Sequence, residues 1–242
     1  MRRILPTLLR IAAFVLMLVC WRWLMQLPFA AALDLIIIVG CILLIFPLVW
    51  WARKILDRRP TLDRTVRVTT IVHYVVVFLL GASVFRAVAT YPEWPDWALP
   101  IPKGVGLALV LLTGPLAFLS VVNLALKGLG APFAIALSRK LAADWMYAWT
   151  RNPMVLATLL FFLSVGIWIQ SALFVLWAAV LIAPALLFFV KMYEERELEI
   201  RFGASYMEYK SKTPMLIPRR PKSRPFRFQQ SASESRSARE YD

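Results

Sequence analysis

The chain has 242 residues, 60% of them hydrophobic, and a formal net charge of +14. A soluble domain of this length needs more polar surface than that composition offers, whereas a chain coated by lipid does not. In a soluble protein the positive charge suggests nucleic acid, but most Lys and Arg here lie between or after apolar runs, so no nucleic-acid partner is expected. A zinc site is not expected either, because there is one histidine and no paired-cysteine spacing. Cys20 and Cys41 both lie in apolar runs and read as small buried hydrophobes.

Crossing about 30 Å of hydrocarbon takes about 20 apolar residues. Six segments approach or meet that length, at roughly 4–27, 29–51, 67–90, 103–126, 153–169 and 171–191. They predict an all-α polytopic membrane protein with about six transmembrane helices, the last two forming a hairpin. The first run is too long for a signal peptide, and its end at Trp21-Arg22-Trp23 does not resemble a cleavage site. The second, fourth and sixth segments contain Pro47, Pro115 and Pro184, each of which favours a kink. The fifth is at the lower limit for a span.

Loop charges alternate. Arg2 and Arg3, the link with Arg53 to Arg67, the link with Lys127 to Arg151 and the carboxy-terminal segment are basic. The links near Leu27-Pro28, Glu93 to Asp96 and Gln170-Ser171 are uncharged or acidic. This alternation predicts a multi-pass protein with both termini in the cytoplasm. The tail from Arg219 onward has no apolar periodicity and reads as disordered and basic.

Among polar residues within spans, Arg22, Asp34 and Arg86 lie near the predicted outer boundary and read as snorkelling. His73 lies near the cytoplasmic end of span three. Hydrogen bonding within the bundle and lining of a substrate cavity both remain open for it. After span four come Gly128-Leu129-Gly130 and then Tyr147 to Pro153. Asn152 suits a helix N-cap and Pro153 a first turn. Glu194-Glu195 ends span six and leads into a charged helix, Arg196 to Lys210, in which Glu197 and Arg201 are spaced for an i,i+4 pair. Leu198, Phe202, Tyr206 and Tyr209 can share a face, and Gly203 allows a bend. The helix reads either as interfacial on the cytoplasmic side or as a lid over a cavity. The hairpin returns Glu194 and Glu195 to the depth of Arg151. An arginine and two carboxylates facing one pocket suit the zwitterionic end of an amino acid.

Between Lys127 and Pro218 the chain resembles the isoprenylcysteine carboxyl methyltransferase and phospholipid N-methyltransferase superfamily of integral membrane enzymes. The resemblance rests on Gly128 and Gly130, Tyr147, Arg151-Asn152-Pro153-Met154, Glu194-Glu195 with Leu198, Phe202-Gly203 with Tyr206 and Tyr209, and Pro214-Met215-Leu216-Ile217-Pro218, in that order. The chain departs from the pattern at Val155, where a tyrosine is usual, and at Ala157, where a glycine is usual. Trp145-Met146 stands where Gly-Pro is usual.

The resemblance implies an S-adenosylmethionine-dependent methyltransferase, isoprenylcysteine carboxyl methyltransferase-like, acting on a lipophilic acceptor from the bilayer, with no metal. A phospholipid N-methyltransferase-type enzyme and a catalytically silent membrane scaffold are the alternatives. It carries donor binding over to Gly128, Gly130, Tyr147, Arg151, Asn152, Glu194 and Glu195, with Arg151 and Glu194 as the catalytic pair. His73, Tyr206 and Tyr209 are assigned to the acceptor. The chain divides into four amino-terminal spans (1–126), a methyltransferase-like region (127–218) and the tail (219–242).

Overall fold

The computed structural model describes residues 4–94, 97, 99–128 and 141–221. Among these residues every regular element is helical. The order is α1 (Ile4–Gln26), α2 (Ala31–Arg58), α3 (Leu62–Thr90), α4 (Lys103–Gly128), the short α5 (Met146–Trp149), α6 (Pro153–Trp168) and α7 (Ala172–Lys212). Four stretches are long and apolar enough to cross a membrane: Ala31–Arg58, Leu62–Glu93, Lys103–Leu124 and Ala172–Lys212. Ile11–Gln26 and Pro153–Trp168 are shorter apolar helices. The 16 residues of α6 rise only about 24 Å, which accounts for its place at the lower limit. Gly130 and the tail beyond 221 lie outside the described residues.

The core sits where α2, α3 and α7 meet. Ile38, Ile42, Ile45, Val49, Ala52 and Leu56 form one buried stripe on α2, alternating steps of four and three. That spacing keeps a single seam facing its neighbours over five turns. Ala178, Ile182, Ala185, Phe189 and Tyr193 answer it from α7, and Val72 and Val76 from α3. The outward side is apolar as well, with Leu44, Trp51, Ile71, Leu111, Phe118 and Val180 exposed. A helix bundle apolar inside and out is the arrangement lipid requires.

α4 and α6 pack so closely that a Cβ at Gly106 would lie 2.4 Å from the Trp168 backbone nitrogen. Ser171 caps α7 by accepting from the Phe174 amide at 3.1 Å. Two π-helical turns interrupt α7, at Ala178–Ile182 and Val190–Glu194. The first ends two residues before Pro184, whose ring needs room against the preceding turn. The charged segment continues the same helix as span six, bent at Gly203, where φ is +51° and ψ is −128°.

Arg86 and Asp34 do not snorkel separately. They form a buried ion pair, and Arg86 also donates to the carbonyls of Leu24 at 2.9 Å and Leu27 at 2.8 Å. The pair ties the end of α1 and the start of α2 to α3. Two charges six residues or more from any partner in sequence gave no periodic signal of this contact.

Candidate active site

The candidate site is built on a clamp. Arg151 precedes α6. Its Nη1 donates to the carbonyls of Lys210 at 2.9 Å and Thr213 at 2.6 Å, and its Nη2 donates to Glu195 Oε1 at 2.5 Å. Lys210 Nζ meets the other Glu195 oxygen at 2.7 Å and Glu199 Oε1 at 2.9 Å. The Gly203 bend makes this possible, because it folds Lys210 back towards the first turns of the charged segment. A strap then closes over the clamp. The Arg151 amide donates to Pro214 O at 2.9 Å, and the Arg219 amide to Trp149 O at 3.0 Å. Thr150 Oγ1 and Asn152 Nδ2 both donate to Met215 O, at 3.1 and 2.9 Å. Asn152 occupies the N-cap position of α6 but makes no side-chain cap bond. Its amide serves the strap instead.

The π-helical turn at Val190–Glu194 separates the two glutamates. Arg53 Nη1 donates to the Met192 carbonyl at 2.8 Å, satisfying a backbone group within that turn. Arg53 and Arg196 also share Asp57, at 2.7 and 2.9 Å, and so brace α2 against α7. Beyond the turn, Glu195 is buried in the Arg151 clamp, while the Glu194 side chain is 28% exposed and turns to α3. Its Oε1 stands 3.9 Å from His73 Nε2. Burial, and next the charge of Glu194, push the Tyr147 phenol well above its ordinary range, so it stays a neutral donor. Glu197 and Arg201 form the expected i,i+4 pair at 2.5 Å.

Tyr206 and Tyr209 are buried with Ala143, packed against Leu141, Leu198 and Phe202. Tyr209 Oη donates to the Tyr147 carbonyl at 2.6 Å. These two rings join the charged segment to the residues before α5, and α5 carries Tyr147. The structure therefore brings together Tyr147, Arg151, Glu194, Glu195 and His73. Asn152 bonds the strap, Tyr209 bonds the Tyr147 carbonyl, and Tyr206 packs beside Tyr209. Gly128 is the last residue of α4.

Sequence reasoning missed Arg53, Asp57, Thr150, Glu199 and Lys210. The i,i+4 spacing of Arg53 with Asp57, and of Glu195 with Glu199, was the available signal. The basic link was read for topology alone.

The phospholipid methyltransferase family model matches residues 102–205. That family belongs to the integral membrane methyltransferase superfamily. The match takes in α4, α5, α6 and most of the charged segment of α7. No match to the chain was found among curated proteins or among solved structures. Similarity to that family points to methyltransferase activity with S-adenosylmethionine as methyl donor. Among the described residues, no group of three or more His, Cys, Asp and Glu is placed to hold a metal ion.

The site's chemistry suits the amino-acid end of that donor. Glu194 is a half-buried carboxylate with no hydrogen bond from the clamp. Arg151 Nε is buried without a partner, so one charge-bearing donor group is still unused. A buried N–H left unsatisfied carries a cost that a ligand oxygen removes.

Proposed function

We propose that the protein is an integral membrane methyltransferase that transfers the S-adenosylmethionine methyl group to a lipophilic acceptor entering from the bilayer. The divergence of the two glutamates at the π-helical turn carries this reading. Glu195 is consumed in fixing Arg151, and Glu194 remains to attract the donor's ammonium group. Arg151 Nε and the neutral Tyr147 phenol supply hydrogen bonds for its carboxylate. The alternation of loop charge argues for a cytoplasmic clamp and strap, where a soluble donor arrives.

Methyl transfer to a nucleophile is an in-line displacement that needs positioning and exclusion of water above all. The strap and the Tyr206–Tyr209 contact hold the donor-side residues on rigid supports. An apolar surface on α4 and α6 leads the acceptor to them through the hydrocarbon.

Calorimetric titration of the detergent-purified chain with S-adenosylmethionine tests the reading. Saturable binding is expected, weakened at least tenfold by Glu194→Ala. No binding at millimolar donor ends the enzyme reading and leaves a membrane scaffold. Binding that Glu194→Ala does not alter removes the glutamate assignment.

A further inference from the structure

We infer that Asn123, on α4, reads the adenine ring of the methyl donor, through a planar pair of hydrogen bonds between its side-chain amide and the purine edge that carries the amino group. The inference rests on the donor site proposed above and extends it from the amino-acid end of the donor to its base. Three observations carry it.

The first is an orphaned amide. Asn123 is 1% exposed, and its Nδ2 and Oδ1 are both buried without a hydrogen-bond partner. The buried hydroxyls of the same helix pair are satisfied. Thr113 Oγ1 donates to the Leu109 carbonyl at 2.8 Å, Ser120 Oγ to that of Ala117 at 2.7 Å, and Ser164 Oγ to that of Leu160 at 2.7 Å. A buried amide with neither bond made is costly at both atoms, and no lipid chain relieves that cost.

The second is direction. Among the described side chains of α4, Gly106, Thr113, Ser120 and Asn123 are the buried ones, spaced so that they share one side of the helix. That side faces α6. A Cβ at Gly106 would run into the Trp168 backbone, and Thr113 Oγ1 meets Ser164 Oγ at 3.4 Å.

The third is depth. The two helices run antiparallel, with Gly106 against Trp168, Thr113 against Ser164 and Gly114 against Phe161. The same register carried on brings Asn123 level with the start of α6 at Pro153, next to Arg151. Arg151 Nε is itself buried without a partner. Two unsatisfied polar groups therefore stand at one depth on packed neighbouring helices, whose axes lie about 8–10 Å apart at such contacts.

The two groups differ in what they suit. Arg151 Nε, with Glu194, suits the charged amino-acid end. Asn123 carries no charge and offers one donor and one acceptor side by side in a plane. Adenine answers with its amino group beside a ring-nitrogen acceptor, the pairing by which asparagine recognises adenine in nucleic acids. The donor then lies across the seam between α4 and α6, with its base on α4 and its amino acid on α6. Its sulfonium methyl falls between them, towards the apolar path of the acceptor.

The test titrates the whole chain, purified in detergent, with S-adenosylmethionine and with its deamino analogue, in which unsubstituted purine replaces adenine. The unmodified protein is expected to bind the analogue about tenfold more weakly or worse, the scale of one bidentate base contact. Asn123→Leu, close in size and without polar side-chain atoms, is expected to bind the donor about as weakly as the unmodified protein binds the analogue, and to bind the two ligands equally. Without ligand it should unfold no earlier than the unmodified protein, because the unsatisfied groups are gone. Asn123→Ala is the second variant and should lose the same preference. A residue that only holds α4 against α6 would weaken both ligands alike and leave the preference in place. The inference is overturned if the unmodified protein binds both ligands equally, if either variant keeps the preference for adenine, or if neither variant binds either ligand. Absence of donor binding by the unmodified chain instead overturns the function proposed above.

Discussion

Substituting Arg151 by glutamine separates the clamp's structural work from its binding role. The Arg151 side chain is 10% exposed and that of Glu195 8%, so their contact is not screened as a surface pair is. Arg151→Gln removes three charge-assisted donations, two to the carbonyls of Lys210 and Thr213 and one to Glu195. Breaking a buried pair usually costs about 3–5 kcal/mol, because the partner charge is stranded. Here Glu195 is not stranded, since Lys210 Nζ remains 2.7 Å away. The expected loss is therefore about 3 kcal/mol, at the lower end. Glu195→Gln should cost about 1–2 kcal/mol: Arg151 keeps both carbonyls and an amide oxygen, and Lys210 keeps Glu199. Thermal unfolding in detergent, followed by circular dichroism with and without S-adenosylmethionine, measures both. The donor should stabilise the Glu195→Gln protein and fail to stabilise Arg151→Gln. A loss for Arg151→Gln below about 1 kcal/mol, or one smaller than that for Glu195→Gln, refutes the clamp.

Two other substitutions probe features far from each other. At Gly203 an added Cβ would meet nothing within 4 Å, so Gly203→Ala is expected to cost about 1–3 kcal/mol through its positive φ alone, and donor affinity should fall as the bend straightens and Lys210 leaves Glu195. Unchanged stability and affinity would mean that the bend does not depend on glycine. Asp34→Asn should destabilise by about 3–5 kcal/mol by stranding Arg86; the double change Asp34→Leu with Arg86→Met should be milder than the single change, as read by the same thermal assay.

What could be read from the sequence was whatever has a period or a fixed order. The apolar runs gave the helices, because their lengths match the hydrocarbon thickness. The order Arg151, Glu194-Glu195, Phe202-Gly203 and Pro214 to Pro218 gave the region that the family model then matched in large part. Glu197 with Arg201 followed from helical spacing. Three things could not be read. A π-helical turn leaves no sequence mark, so nothing said that adjacent glutamates would face different helices. Asn152 looked like a cap because the cap position favours asparagine, and the strap's Met215 carbonyl competed successfully for its amide. His73 and Arg53 come from helices outside the match, and their approach to α7 is a tertiary contact with no local signature. Trp145 shows the reverse case. It stands where the family pattern has glycine, and its backbone keeps a positive φ of 53°, a conformation that L side chains rarely adopt.

The strap also closes a ring. Arg151 enters α6 and Pro214 leaves the charged segment, and their backbones are hydrogen-bonded to each other. The chain between them departs from and returns to one point. Such a unit resembles an insertable cassette, whose neighbouring ends can be rejoined in a different order without stretching the structure. A circular permutant with new termini at the Gln170–Ser171 turn, and a short linker in place of the hydrogen-bonded junction, is thus geometrically open to this segment of the protein.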